Sequence, residues 1–279
     1  MKIIDSHQHF WQYDPQIYDW IDDSMNVLKQ NYLPADLESI YKKNEVDGCV
    51  VVQARTDLKE IDFLLDTASK NYFVKGVVGW LDFLDNQFEK QLEQYTEYSN
   101  LKGLRHVVQA EPLGFLDRKD FQAGLKLLQK YNLVYDILIF PPQLEESIRL
   151  VKNLPNQIFV LDHIAKPYIK KQDIGAWEKD IRRLAQLENV YCKISGMVTE
   201  ADWENWQLED FRPYLDVVTA GFGANRLLYG SDWPVCLLAA EYHQVMDIVK
   251  NYFSNFTSAE KENIFGKNAF RVYGLDPHQ

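Results

Sequence analysis

The sequence has few cysteines, no long apolar run and no concentration of positive charge. Its 279 residues include three cysteines, Cys49, Cys192 and Cys236, each within an apolar stretch. Three scattered cysteines are too few for a disulfide framework and favour buried thiols in a reducing compartment. No stretch approaches the ~20 apolar residues of a membrane span, and the N-terminus lacks the apolar run of a signal peptide. We therefore expect a cytoplasmic protein.

The charge of the chain limits the kinds of partner it can bind. The formal net charge is -11, and no run of lysine and arginine provides the positive surface that nucleic acid or an anionic membrane requires. We expect a small-molecule substrate, with no nucleic-acid or membrane partner, and the sequence leaves open whether the protein is a homo-oligomer. Because 46% of the residues are hydrophobic and no linker interrupts them, residues 1–279 are expected to form one domain with a large core.

Eight short apolar runs, rich in β-branched residues, predict eight β-strands with helical patterns between them. The predicted strands are Ile3–His7, Cys49–Gln53, Val74–Trp80, Leu101–His106, Leu133–Ile139, Ile158–His163, Val190–Ile194 and Leu227–Gly230. Strands this apolar suit a parallel sheet covered by helices, and eight such units predict an α/β fold of the (β/α)₈ TIM-barrel class. No Gly-x-Gly-x-x-Gly follows the first strand, which disfavours a dinucleotide-binding sheet. The pattern in Asn86–Tyr98 fits a helix, with strand or loop in part as the alternative.

Two histidines close the first predicted strand, at the end where barrels of this class bind ligands. Side chains alternate along a strand, so His7 and His9 point the same way. Two neutral imidazoles so placed can hold one divalent metal, most readily zinc. The alternative is a hydrogen-bonded core histidine beside a half-exposed one.

Titratable residues also follow the sixth and eighth predicted strands. Asp162 and His163 come directly after an apolar run, and the alternative to a binding role is a salt-bridged loop. Asp232 follows the last strand, where a carboxylate can ligate a metal, take a proton from water, or do both. Its alternative role is an Asx-turn before a proline. If the strands close into a barrel, these residues and the two N-terminal histidines converge.

The motifs around these residues resemble those of the amidohydrolase superfamily. The motifs are Asp5–His9, Leu161–Pro167 and Tyr229–Pro234, with further support from Gly76–Trp80, Gly103–His106 and Gly266–Leu275. The resemblance spans essentially the whole chain. It is greatest to the amidohydrolase-related branch that includes lactonases of L-fucono- and L-rhamnonolactones. It implies a metal-dependent-hydrolase type of TIM barrel.

The resemblance also implies roles for individual residues. His7, His9 and His163 would be metal ligands, joined by Asp232, which would also handle the proton of the attacking water. The fourth strand carries Arg105 and His106 where the superfamily bridges two metals with lysine or glutamate, and the fifth has Asp136 and no histidine. We therefore expect one divalent ion, zinc before others, or none.

These implications predict a hydrolase that opens a sugar lactone to its sugar acid. Asp232 would act as general base and then acid, and His163 or a metal would stabilise charge on the carbonyl oxygen. A hydroxylated substrate needs hydrogen-bonding groups and flat apolar surfaces. The candidates are Arg105, His106, Gln53, Lys166, Trp80 and Trp233, with Trp11 as a further aromatic. Their alternatives are a surface salt bridge for Arg105 and core packing for the tryptophans. Lys193 either reaches the barrel mouth or pairs with a carboxylate.

Two other functions are compatible with the same residues. A metal-dependent decarboxylase of an aromatic or unsaturated acid uses a similar His-x-His pair, a later histidine and a last-strand aspartate. A catalytically silent sugar-acid binding protein is the third hypothesis, because fold does not determine function.

Overall fold

Eight parallel strands form the centre of the computed structural model, which describes residues 1–276. The strands are β1 Ile4–Gln8, β2 Gly48–Val52, β3 Val74–Gly79, β4 Leu101–His106, β5 Val134–Ile137, β6 Phe159–Leu161, β7 Val190–Ile194 and β8 Leu227–Tyr229. Each pairs with the next in chain order. Gln8 forms a parallel bridge with Trp233, and the Asp232 amide donates to the His7 carbonyl over 2.8 Å, which closes the sheet into a barrel. The predicted strands and the TIM-barrel class are confirmed.

Helices follow the strands and cover the outside of the barrel. Those described are α1 Pro34–Asn44, α2 Leu58–Lys70, α3 Phe88–Tyr95, α4 Lys119–Leu127, α5 Leu144–Asn153, α6 Gly175–Ala185, α7 Leu208–Phe222, α8 Tyr242–Tyr252, α9 Ser258–Glu262 and α10 Asn268–Val272. Pro34 occupies the first turn of α1, where its missing N–H costs no hydrogen bond. The helix predicted within Asn86–Tyr98 is present as the shorter α3.

The barrel interior is apolar towards its lower end. Valines from several strands, such as Val50, Val78 and Val160, pack together there. Tyr273 and Leu275, which follow α10, join the same cluster and cover the end of the barrel opposite the predicted site. The core between strands and helices is larger and includes Ile61, Leu64, Leu65 and Ala68 on one face of α2. Within residues 1–276, no helix combines the length and apolar character needed to span a membrane.

Candidate active site

The four residues predicted to form the site meet at the carboxyl end of the barrel. His7 Nε2 lies 3.2 Å from His9 Nε2. The Asp232 Oδ1 atom lies 3.4 Å from His9 Nε2, 3.7 Å from His7 Nε2 and 4.0 Å from His163 Nε2. We call these four side chains the His/Asp cluster. All four are buried, so their charges and lone pairs act in a medium of low dielectric constant.

Hydrogen bonds on the far side of two imidazoles aim their other nitrogens at the centre of the cluster. His9 Nδ1 lies 2.8 Å from the Val52 carbonyl, to which it donates, so Nε2 retains its lone pair. His163 Nδ1 lies 2.9 Å from Ser195 Oγ. Partners of this kind fix the orientation and tautomer of histidines that bind metals. Both rings are therefore held with Nε2 facing Asp232.

The backbone around His163 and Asp232 adopts the left-handed conformation that non-glycine residues rarely populate. Four consecutive residues, His163 to Lys166, have φ between 47° and 62°, and Asp232 has φ of 60°. Such conformations cost roughly 1–3 kcal/mol each and persist only where surrounding contacts impose them. Gly196 approaches so closely that a Cβ on it would lie 2.4 Å from His163 Nδ1. The left-handed backbone therefore positions the side chains of His163 and Asp232 at the barrel mouth.

A buried carboxylate fixes the turn that carries Asp232. Asp5 accepts hydrogen bonds from the Ser231 amide over 2.9 Å and from Ser231 Oγ over 2.6 Å. The hydroxyls of Tyr41 and Tyr242 also donate to it, over 3.0 and 3.1 Å. Burial raises the pKa of Asp5 to about 6 in spite of these donors. Asp5 therefore connects β1 to the end of β8 immediately behind the His/Asp cluster.

A network of buried charges lies below His7. Lys193 Nζ lies 2.5 Å from Asp136 and 2.9 Å from Asp162, while Arg105 Nη1 lies 2.9 Å from Asp162. Two cations thus neutralise two carboxylates, as burial of charge requires. His7 Nδ1 is 3.2 Å from Asp162 and 3.1 Å from Lys193 Nζ. The question left open for Lys193 is answered, since it pairs with carboxylates and contacts His7 as well.

Burial and neighbouring charges set the protonation states at the site. Burial lowers the pKa of His163 to about 4 and that of His7 well below its ordinary value. Burial by itself would raise the pKa of Asp232, but the electrostatic effect of the neighbouring histidines, His163 above all, outweighs it and holds the pKa below its usual range. At neutral pH, His7 and His163 are uncharged and Asp232 is a carboxylate.

A family model and several known proteins match the chain over nearly its whole length. The family model described as amidohydrolase matches residues 4–275. The chain belongs to the amidohydrolase family. It is 37% identical, over 98% of its length and 96% of the relative's, to an L-fucono-1,5-lactonase of Burkholderia multivorans. It is 31% identical, over the same shares, to an L-fucono-1,5-lactonase of Burkholderia ambifaria. A crystal structure of a Burkholderia multivorans amidohydrolase with bound zinc has 37% identity and a TM-score of 0.96, covering 99% of this chain and 100% of that one.

The His/Asp cluster of this amidohydrolase fits one zinc ion. Zinc bonds of about 2.0–2.1 Å in a tetrahedron separate neighbouring ligand atoms by roughly 3.3 Å. The donor atoms of His7, His9 and Asp232 lie 3.2 to 3.7 Å apart. Neutral imidazole nitrogens and a carboxylate are also the donors that zinc prefers. Arg105 Nη1 lies 3.3 Å from His7 Nε2, and Lys193 adds a second cation beside the same ring. Two neighbouring cations leave little electrostatic reason for a second metal.

The predicted substrate-binding residues differ in their burial and in their hydrogen-bond partners. Arg105 and Gln53 are buried, and Arg105 Nη2 donates to the Gln53 carbonyl. Trp80 Nε1 donates to His106 Nδ1 over 3.2 Å, and His106 Nε2 lies 2.8 Å from Glu111 Oε1. Both ring nitrogens of His106 are therefore engaged. Arg105 is not in the surface salt bridge that was its alternative, but in the buried network below His7.

Two of the predicted aromatic residues, Trp233 and Trp11, pack in the core. Trp233 is only 1% exposed and packs edge-on against Tyr32, with ring centroids 5.1 Å apart. Trp11 is fully buried, and its indole N–H donates to the Gln30 carbonyl over 2.9 Å. Neither indole offers a face to a ligand, because the long segment between β1 and α1 folds over them. Core packing, the stated alternative, describes both.

Sequence reasoning missed several residues that shape the site. Ser195 and Gly196, which follow β7, contact the His163 ring. Glu200 lies in a short helix a few residues later, with its carboxylate 3.9 Å from Lys166 Nζ. Asp5 precedes the His-x-His pair. The position of Ser195 and Gly196 directly after an apolar strand was the signal that could have identified them, since polar residues there face the barrel mouth.

Proposed function

We propose that the protein is a lactonase that opens a sugar lactone of the L-fucono-1,5-lactone type to its sugar acid. The observation that carries the proposal is the His/Asp cluster, in which three imidazoles surround one carboxylate at the barrel mouth. The near-full-length similarity to two named lactonases supports the same substrate class. The side chains of Asp232 and His163 would perform the chemistry.

The reaction requires two proton transfers. Asp232, ionised at neutral pH, takes a proton as water attacks the carbonyl carbon. The bond from that carbon to the ring oxygen then breaks, and Asp232 returns the proton to the leaving oxygen, which becomes the hydroxyl of the sugar acid. General base and acid catalysis of this kind contributes typically about 10²–10⁴-fold. Water and lactone are consumed and one hydroxy acid is formed.

The other members of the cluster hold the reacting groups in place. His7, His9 and Asp232, with His163 beside them, would hold a zinc ion. When bound, such an ion polarises a carbonyl and lowers the pKa of water towards about 7. His163, whose ring is oriented by Ser195, would stabilise the charge that develops on the carbonyl oxygen. Trp80 and Lys166, both half-buried, would contact the sugar ring.

A screen of aldonolactones with a pH indicator, with and without chelator, tests the proposal. The wild type should acidify the solution with a 1,5-lactone, and Asp232→Asn should lose at least about 10²-fold in kcat/KM. Asp202→Asn is the matched control, because the carboxylate of Asp202 is exposed and pairs with Lys170 on the surface. Carbon dioxide release from a benzoate-like acid, without opening of any lactone, would instead support a decarboxylase. Binding of sugar acids without turnover would support a binding protein.

A further inference from the structure

Lys166 and Glu200 form an ion pair that leaves most of their hydrogen-bonding capacity unused. The two atoms nearest each other, Lys166 Nζ and Glu200 Oε1, are 3.9 Å apart, and each side chain is 18% exposed. This separation is too long for a hydrogen bond. Among residues 1–276, the Glu200 carboxylate accepts no hydrogen bond, although it is mostly removed from water. A desolvated carboxylate of this kind is costly unless a partner arrives.

The pair borders the His/Asp cluster. Lys166 is the last of the four left-handed residues that begin with His163, and its ammonium lies 5.5 Å from the centre of the Phe140 ring. Glu200 follows β7 closely after Ser195, the partner of His163. Burial raises the pKa of Glu200, the Lys166 ammonium partly offsets that rise, and the charge of Asp232 adds to it. The Glu200 carboxylate therefore lies within electrostatic range of Asp232.

The other candidate substrate contacts offer few free acceptors, and the one among them is Gln53 Oε1, a buried atom that accepts no hydrogen bond from the residues described. Arg105 is a donor only, and its guanidinium is already bound to Asp162 and to the Gln53 carbonyl. His106 has both ring nitrogens engaged. A sugar lactone presents hydroxyls on adjacent carbons, and each hydroxyl both donates and accepts. A recognition site for such a pair needs a donor and an acceptor side by side.

We propose that Lys166 and Glu200 form a subsite that binds two adjacent hydroxyls of the substrate ring, with the ammonium donating to one and the carboxylate accepting from the other. The proposal rests on the proposed lactonase function. Hydrogen bonds to charged groups are stronger than neutral ones, so the pair selects hydroxylated lactones over plain ones. Its contribution belongs to specificity, and the proton transfers stay with Asp232.

The test compares one variant on two substrates. Glu200→Gln keeps the shape of the side chain and removes its charge. We expect kcat/KM for L-fucono-1,5-lactone to fall by about 10- to 100-fold, mainly through KM, because one charged hydrogen bond is lost. For δ-valerolactone, a six-membered lactone without hydroxyls, kcat/KM should stay close to the wild-type value. Lys166→Met should show the same selectivity. Glu204→Gln, whose side chain is exposed in the same loop, should match the wild type on both substrates.

Equal losses of kcat/KM on both lactones would show that Glu200 acts through Asp232. No loss on either lactone would show that Glu200 does not contact the substrate. Each of these results overturns the subsite. A binding measurement separates this failure from failure of the lactonase proposal. The 1,5-anhydroalditol with the L-fucose configuration keeps the ring hydroxyls but has no carbonyl to react. Titration calorimetry should show weaker binding of it to Glu200→Gln than to wild type, whether or not any lactone is opened. Equal binding, or none to wild type, also overturns the subsite.

Discussion

Replacement of Gly196 by alanine should disturb the site through one methyl group. Gly196 has φ of +61°, and a Cβ built on it lies 2.4 Å from His163 Nδ1 and 2.7 Å from His163 Cγ. Both separations are far shorter than a van der Waals contact. The same Nδ1 atom lies 2.9 Å from Ser195 Oγ. The methyl group must therefore displace either the His163 ring or the peptide that carries Ser195.

The expected loss of stability in Gly196→Ala has two parts, backbone strain in the left-handed conformation and steric overlap of the new methyl group with His163. A left-handed conformation costs a residue with a Cβ roughly 1–2 kcal/mol, and forcing a methyl group into a packed site costs about 1–3 kcal/mol more. Gly274 provides the matched control, because it has φ of +54° and nothing within 4 Å of its Cβ position. We expect the free energy of unfolding to fall by about 2–5 kcal/mol in Gly196→Ala and by about 1–2 kcal/mol in Gly274→Ala.

Urea unfolding and lactone hydrolysis measure the two consequences. Where both variants are folded, Gly196→Ala should lose about 10²-fold in kcat/KM, because a displacement of about 1 Å in a catalytic group can cost that much. Gly274→Ala, at the opposite end of the barrel, should retain wild-type activity. If the two variants were equal in stability and in activity, the close approach of Gly196 to His163 would have no consequence, and the reasoning would fail.

Three further predictions concern buried charge and metal. Lys193→Met leaves two buried carboxylates without their ammonium, so the free energy of unfolding in urea should fall by about 3–5 kcal/mol. The control, Lys170→Met, removes a cation from a surface pair and should lower it by less than about 1 kcal/mol. Similar small losses in both variants would contradict a stabilising role for the buried network. Burial raises the pKa of Glu60 from 4.5 to about 7, so the folded state keeps a proton that the unfolded state releases, and stability falls as pH rises across this window. Thermal midpoints should decline less between pH 5 and pH 7 in Glu60→Gln than in wild type, and equal declines would refute the shift. His9→Ala should weaken zinc binding by at least about 10-fold, measured by elemental analysis after dialysis against chelator and zinc; unchanged zinc content would exclude His9 as a ligand.

The barrel was predictable because its strands are apolar on both faces. Runs such as those of β2 and β6 contain little that suits a helix face or a loop, and the spacing of the strands leaves room for one helix each. The predicted ends of β4 and β7 match the observed ones, and those of the other strands differ by at most two residues, for example in β5. Polar neighbours and carbonyl pairing decide where a strand stops. The shorter α3 within Asn86–Tyr98 reflects the same limit at helix ends.

The convergence of the His/Asp cluster was predictable from topology alone. In a closed parallel barrel, residues that end β1, β6 and β8 must share one rim, however distant they are in sequence. Exposure was not predictable in this way. Trp233 also follows β8, but Tyr32 from the segment between β1 and α1 packs against it. The sequence around Trp233 does not show that a distant segment covers it.

Lys193 shows most clearly what local sequence leaves undetermined. A lysine inside an apolar strand can turn outwards, pair with a carboxylate or lower its own pKa, and the strand itself is the same in each case. The barrel decides between these outcomes, because Asp136 on β5 and Asp162 after β6 lie close enough to share its ammonium. The same ammonium lies 3.1 Å from His7 Nδ1. Its positive charge compensates the two buried carboxylates, and it also disfavours a second metal ion beside one bound at the His/Asp cluster.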